Sequence, residues 1–106
     1  MIKSIMKRDG RVVLYDESKI ASAILKALEA AREGDASVAA QVANSVEARL
    51  EELCGDGTPR IEQIQDTVEQ ELMRAGCEEA AKQYILYRAE RTRIREAKTS
   101  LMKSID

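Results

Sequence analysis

Histidine, tryptophan and phenylalanine are all missing from these 106 residues. Without histidine the two cysteines, Cys54 and Cys77, cannot complete a zinc set of four Cys, His or carboxylate ligands at recognisable spacing. No Ser-His or Cys-His nucleophile pair exists either. The chain is therefore expected to carry no catalytic apparatus and no metal site of its own, and both cysteines read as small apolar residues near helix ends. Three tyrosines are the only aromatics, 3% of the chain, so the core has to come from Ala, Val, Ile, Leu and Met, a set suited to closely packed helices. Scarce aromatics, a pI near 5.3 and a net charge of -2 argue against nucleic acid as a partner, since its binders combine basic grooves with stacking platforms. No apolar run nears the ~20 residues of a membrane span, and the N-terminal stretch has no signal-peptide core. A cytoplasmic protein without a membrane partner is expected. The glycine loops GxGxxG and GxxxxGK(S/T) are absent too, so an anion site must be built from side chains.

What is present fits one domain. Near its start Lys7-Arg8-Asp9-Gly10-Arg11 lies between two short β-prone runs, Ile2 to Met6 and Val12 to Tyr15. An Asp-Gly pair in that setting signals a hairpin. With a two-residue turn, Arg8 and Arg11 face each other across the ladder, an arrangement that repels unless the side chains splay into water or share an anion.

Everything after it reads as helix. Asp16 is a good N-cap for a helix from about Glu17 to Arg32, with Ile20, Ala23, Ile24, Ala27, Leu28 and Ala31 on one face and Gly34 as its stop. Asp35 or Ser37 caps a second helix through Cys54, striped by Val38, Val42, Val46, Leu50 and Leu53. Thr58-Pro59 predicts a third start, with Thr as N-cap and Pro at the first helical position. Its face is Ile61, Ile64, Val68, Leu72 and Met73, and Gly76 ends it. Glu78 opens the last and longest helix, running toward Ser104. Ala80, Ala81, Tyr84, Ile85 and either Tyr87 or the stem of Arg88 pack its first half, and Arg88, Arg91, Arg93, Arg95 and Lys98 supply a run of cations. Arg88, Arg91 and Arg95 share a face that points back at the hairpin if the helices form an antiparallel bundle. Lys7, Arg8, Arg11, Lys19 and the Arg88 and Arg91 face are thus the donors available to a polyanion such as a triphosphate.

Lys7 to Arg11, Val13 to Asp16, Ser18-Lys19-Ile20 and Ala23-Ile24 closely resemble the opening of the ATP-cone domain. Ile61-Glu62-Gln63-Ile64-Gln65-Asp66 and Tyr84-Ile85-Leu86-Tyr87-Arg88 match its later landmarks. The resemblance covers residues 1 to about 95. It implies a mainly α fold with a small β cap: a hairpin or three-stranded sheet over a four-helix bundle, with nucleotide held between them. Such cones regulate ribonucleotide reductases, ATP activating and dATP inhibiting, and magnesium accompanies the triphosphate. By the same resemblance Lys7, Arg8 and Lys19 grip phosphate, Val13 and Asp16 meet the base, and Ile61 and Gln65 meet sugar and phosphate. Some members carry Glu, His and Thr at the Val13, Gln65 and Ile61 positions. Arg88 and Arg91 both qualify for the last-helix cation. Arg8 is expected on phosphate and Arg11 in solvent.

The tail from Arg88 through Leu101-Met102-Lys103 resembles the anaerobic, glycyl-radical reductase. Residues 1–95 would then be the cone, and 96–106 a helical extension toward a catalytic domain as partner, with an effector-dependent homo-oligomer. The alternatives are the cone of a reductase-gene repressor, whose zinc ribbon this sequence lacks, and a ligand-free helical interaction module.

Overall fold

The computed structural model describes residues 2–55 and 57–105, with backbone alone for 95–105. Strands β1 (Ser4–Met6) and β2 (Val12–Leu14) form an antiparallel hairpin, followed by helices α1 (Glu17–Ala31), α2 (Ala36–Cys54), α3 (Ile61–Arg74) and α4 (Glu78–Ile105). Each helix packs on its sequence neighbour and α4 closes back onto α1. Ile24, Leu28, Val46, Leu50, Ile64, Val68 and Leu72 are fully buried in the interior, with Ala80 and Ala81 letting α4 approach closely. Full burial of each large aliphatic side chain is worth about 1.5–3 kcal/mol. Ile2 and Ile5 join the hairpin to the same core. Leu53 continues the α2 stripe in sequence but is 56% exposed, because the last turn of α2 runs beyond the core. Met73, Ile85 and Tyr87 are exposed as well.

The hairpin differs from the expected two-residue turn. Ser4 pairs with Leu14, Ile5 with Val13 and Met6 with Val12. The Lys7 amide donates to the Arg11 carbonyl and the Gly10 amide to the Lys7 carbonyl. The loop is therefore Arg8-Asp9-Gly10, a type I turn closed by a left-handed glycine, Gly10 at φ 87°. Lys7, not Arg8, stands opposite Arg11, and Arg8 is carried out onto the tip of the turn.

The stop of α1 and the start of α3 also differ from expectation, although α1 keeps its expected span. α1 ends on Arg32, which takes the left-handed conformation at φ 57°, with the Glu33 amide donating back to the Leu28 carbonyl. Gly34 instead gives room: a Cβ there would lie 3.0 Å from Val38 Cβ. Thr58 and Pro59 do not start α3. The Met6 amide donates to the Pro59 carbonyl, Ser4 and Thr58 hydroxyls meet at 3.2 Å, and Met6 forms a single parallel bridge with Arg60. The hairpin thus has two strands with one added rung. α3 begins at Ile61, and its N-cap Arg60 makes no side-chain hydrogen bond.

The other caps are Asp16 and Asp35, each accepting from two amides of its helix. Glu33 reaches across from the α1–α2 loop, its Oε1 accepting from the Ala80 amide at 2.6 Å in the first turn of α4.

Candidate nucleotide site

A cleft of about 730 Å³ opens between the hairpin, α1, the start of α3 and the middle of α4. That volume lies within the range of small-ligand sites, about 300–1,000 Å³. Lys7, Arg8, Val13, Asp16, Lys19, Ile61, Gln65 and Arg91 all line it. Residues separated by more than 80 positions in sequence are thereby brought to one place, at the mouth formed where the hairpin crosses the bundle.

Arg88, the other last-helix candidate, is not in the lining. Its Nη1 meets Asp66 Oδ1 and Glu69 Oε1 of α3, each at 2.7 Å. Burial works against the Arg88 charge, but those two carboxylates outweigh it and raise its pKa. Arg88 thus ties α4 to α3, while Arg91, one turn on, faces the cleft. Arg95 and Lys98 lie outside the residues whose side chains are described.

The lining also contains residues that sequence reasoning did not single out as ligand contacts: Ser22, Lys26, Tyr84, Tyr87 and Thr92. Lys26 had a signal, since Lys19, Ser22 and Lys26 recur at three and four and must share a face of α1. Tyr84 is buried, which pushes its hydroxyl up to about 12 and keeps it protonated. Its ring and that of Tyr87 stand 6.2 Å apart, tilted by 40°.

Charge sets the character of the cleft. Among the described residues of the lining, Lys7, Arg8, Arg11, Lys19, Lys26 and Arg91 face one carboxylate, Asp16. Among the described residues Lys7, Lys19, Lys26 and Arg91 have no ion-pair partner. Arg8 Nε lies 3.3 Å from Glu62 Oε1, and Arg11 Nε lies 2.7 Å from Asp9 Oδ2. Both are solvent-exposed pairs, strongly screened and so readily exchanged. Asp9 also accepts from the Arg11 backbone amide, which holds its carboxyl below the usual range.

Among the described residues two acceptor atoms of the lining take no hydrogen bond, one buried and one solvent-exposed. Gln65 Oε1 is buried without a hydrogen bond. Asp16 takes the Ser18 hydroxyl and the Ser18 and Lys19 amides all on Oδ1, leaving Oδ2 open. The Ser18 hydroxyl is the main reason its pKa is lowered. Among the described residues no cluster of three or more His, Cys, Asp or Glu side chains could hold a metal. A second hollow beyond the hairpin, lined by Leu14, Tyr15, Asp16, Glu17, Ser18, Ala21 and Ala40, has no cation among the described residues.

Comparison with known proteins matches residues 3–93 to the family described as ATP cone domain. A vitamin B12-dependent ribonucleoside-diphosphate reductase of Thermoplasma acidophilum is 43% identical, over 92% of this chain and 13% of that protein. The ribonucleoside-diphosphate reductase subunit alpha of Chlamydia trachomatis serovar D is 37% identical, over 88% and 10%. The anaerobic ribonucleoside-triphosphate reductase of Escherichia coli K12 is also 37% identical, over 99% and 14%. The chain therefore spans about a tenth to a seventh of these relatives. They are reductases of three kinds, so similarity does not single out the anaerobic enzyme that the tail suggested.

Proposed function

The chain belongs to the ATP-cone family, and we propose that its cleft binds ATP or dATP and thereby sets the overall activity of a ribonucleotide reductase. The observation that carries this is the surplus of cations over carboxylates around one cleft in a protein of net charge -2. A triphosphate supplies about four negative charges, and charge-assisted bonds from converging Lys and Arg answer them. Lys7, Arg8 and Lys19 take the phosphates, and Arg91 closes on them from α4. Asp16 Oδ2, at the N-cap of α1 in the same lining as Val13, accepts from the exocyclic amine of adenine. Gln65 accepts from a sugar hydroxyl, the group in which ATP and dATP differ. Asp16 is the one carboxylate among the described residues of the lining and is engaged as a cap, so a magnesium ion would be held by phosphate oxygens.

The cone performs no chemistry in this reading. ATP and dATP can shift a conformational or oligomeric equilibrium only by their differential affinity for its states. The states proposed are two dockings of the bundle, on a second copy or on the catalytic part of a reductase to which residues 96–106 lead. An anaerobic ribonucleoside-triphosphate reductase is the proposed parent. The Escherichia coli match supports it by reaching through the tail. A parent enzyme active in air overturns that assignment and leaves the nucleotide reading intact.

The test is a melting curve with and without nucleotide. Ligand at 100 times its dissociation constant stabilises the fold by about 2.7 kcal/mol, roughly 10 °C or more for a domain of this size. A folded protein whose transition is unmoved by millimolar ATP and dATP refutes the proposal and favours a ligand-free helical interaction module. Lys7→Ala with Arg8→Ala is expected to abolish the shift.

A further inference from the structure

The hairpin is joined to the approach of α3 by the Ser4–Thr58 hydroxyl contact, the Met6–Pro59 hydrogen bond, the Met6–Arg60 bridge and the Arg8–Glu62 ion pair. Among these only the last uses a side chain that also lines the cleft, and Glu62 itself lies outside the lining. Arg8 thus has an internal partner on one side and the cleft on the other. We infer that Glu62 is a built-in competitor for Arg8: it holds the guanidinium against α3 in the empty domain, and an incoming triphosphate takes Arg8 from it. This rests on the nucleotide reading above and deepens it, naming a residue that tunes affinity and the contact that changes on binding.

The geometry favours exchange. The pair is made through one nitrogen at 3.3 Å, with the two side chains 39% and 45% exposed, so solvent screens it strongly. A guanidinium has five N–H donors in a planar fork, and phosphate oxygens engage two of them at once with shorter bonds. Glu62 loses little when Arg8 leaves. It sits in the first turn of α3, where no side chain caps the free amides and the helix dipole favours a carboxylate. Arg11 makes the useful contrast. Its partner Asp9 lies in the same turn, so breaking that pair alters nothing outside the loop. Breaking Arg8–Glu62 removes one side-chain tie between the hairpin and α3 and leaves the Ser4–Thr58 contact and the backbone rungs in place.

Titration calorimetry with ATP and with inorganic tripolyphosphate tests the inference in wild type, Glu62→Gln, Arg8→Ala and the double variant. Glu62→Gln is expected to tighten binding about two- to five-fold when Arg8 is present and to change nothing when Arg8 is alanine. An equal gain in both backgrounds, the mark of a general field, or no gain with Arg8 present, overturns the inference. Wild type that binds neither probe refutes the nucleotide reading itself, a separate result. The Arg8 Nε–H resonance in the empty protein supplies a second readout. Glu62→Gln is expected to move it, and an unmoved signal also overturns the inference.

Discussion

Arg88 and Arg91 sit one turn apart on α4, and exchanging each for alanine should divide stability from binding. Arg88 is 19% exposed and shares one nitrogen between Glu69, 21% exposed, and Asp66, 62% exposed. The Asp66 arm contributes little through so much solvent. The Glu69 arm is partly desolvated, and removing the guanidinium leaves that carboxylate without its partner. A charged hydrogen bond of this kind is worth about 1.5–3 kcal/mol. Arg88→Ala is therefore expected to lower unfolding free energy by about 2 kcal/mol, near 10 °C in Tm, and to weaken ATP binding only modestly through the shifted α4. Arg91 makes no ion pair among the described residues and stands in a cationic cleft. Arg91→Ala is expected to leave stability within about 0.5 kcal/mol of wild type and to weaken ATP by roughly tenfold or more, the loss of one charge-assisted bond. Urea unfolding without nucleotide and calorimetry with ATP measure the two axes separately. The reasoning is refuted if Arg88→Ala leaves the urea midpoint unchanged while binding falls tenfold, or if Arg91→Ala binds ATP as wild type does.

Other substitutions address single features. Arg32→Gly relieves a left-handed arginine at the end of α1 and should stabilise the domain by up to about 1 kcal/mol, read as a higher urea midpoint. Gln65→Leu removes a buried acceptor without a partner, so the empty protein should gain about 1 kcal/mol while nucleotide affinity falls; loss of both in calorimetry and melting would contradict the assignment. Asp16 has a folded pKa below its ordinary 3.8, so its contribution is complete above that value and lost as pH falls through the lower folded one. The stability gap between wild type and Asp16→Ala should hold at neutral pH and narrow in acid titration below about pH 4.

The helical part of the fold is legible because apolar spacing and caps agree: Ile24 and Leu28, Val46 and Leu50, Ile64 and Val68 are read from period alone and are buried. Where sequence and structure part, a tertiary partner has overridden a local signal. Thr58-Pro59 has the chemistry of a helix start, but the free edge of β1 claims its backbone first. Gly34 has the chemistry of a helix stop, but is needed for its lack of a side chain against Val38. The Asp-Gly turn is correct as a hairpin and short by one residue, which changes which cation faces Arg11. At the site, spacing placed Arg88 and Arg91 on one helical face. It could not say that α3 supplies carboxylates to the first and not the second, because Asp66 and Glu69 read equally well as a solvated acidic side. Lys26 was missed although its spacing from Lys19 is helical, since a lone lysine on an amphipathic helix carries no mark of what it faces.

Glu33 fixes one end of the longest element. With Oε1 on the Ala80 amide, the start of α4 is held by the loop that follows α1, while its 28 residues extend about 42 Å at 1.5 Å per residue. α1, at 15 residues, accompanies it for only about half that length. The helix is held at its start by Glu33 and near its middle by buried Tyr84 and the ion pairs of Arg88. A tilt of about 5° at the pinned end would carry the far tip by roughly 4 Å over that length, enough to exchange one set of side-chain contacts for another. If the proposed nucleotide binding tilts α4, a small change at the cleft would be enlarged along the length of the helix.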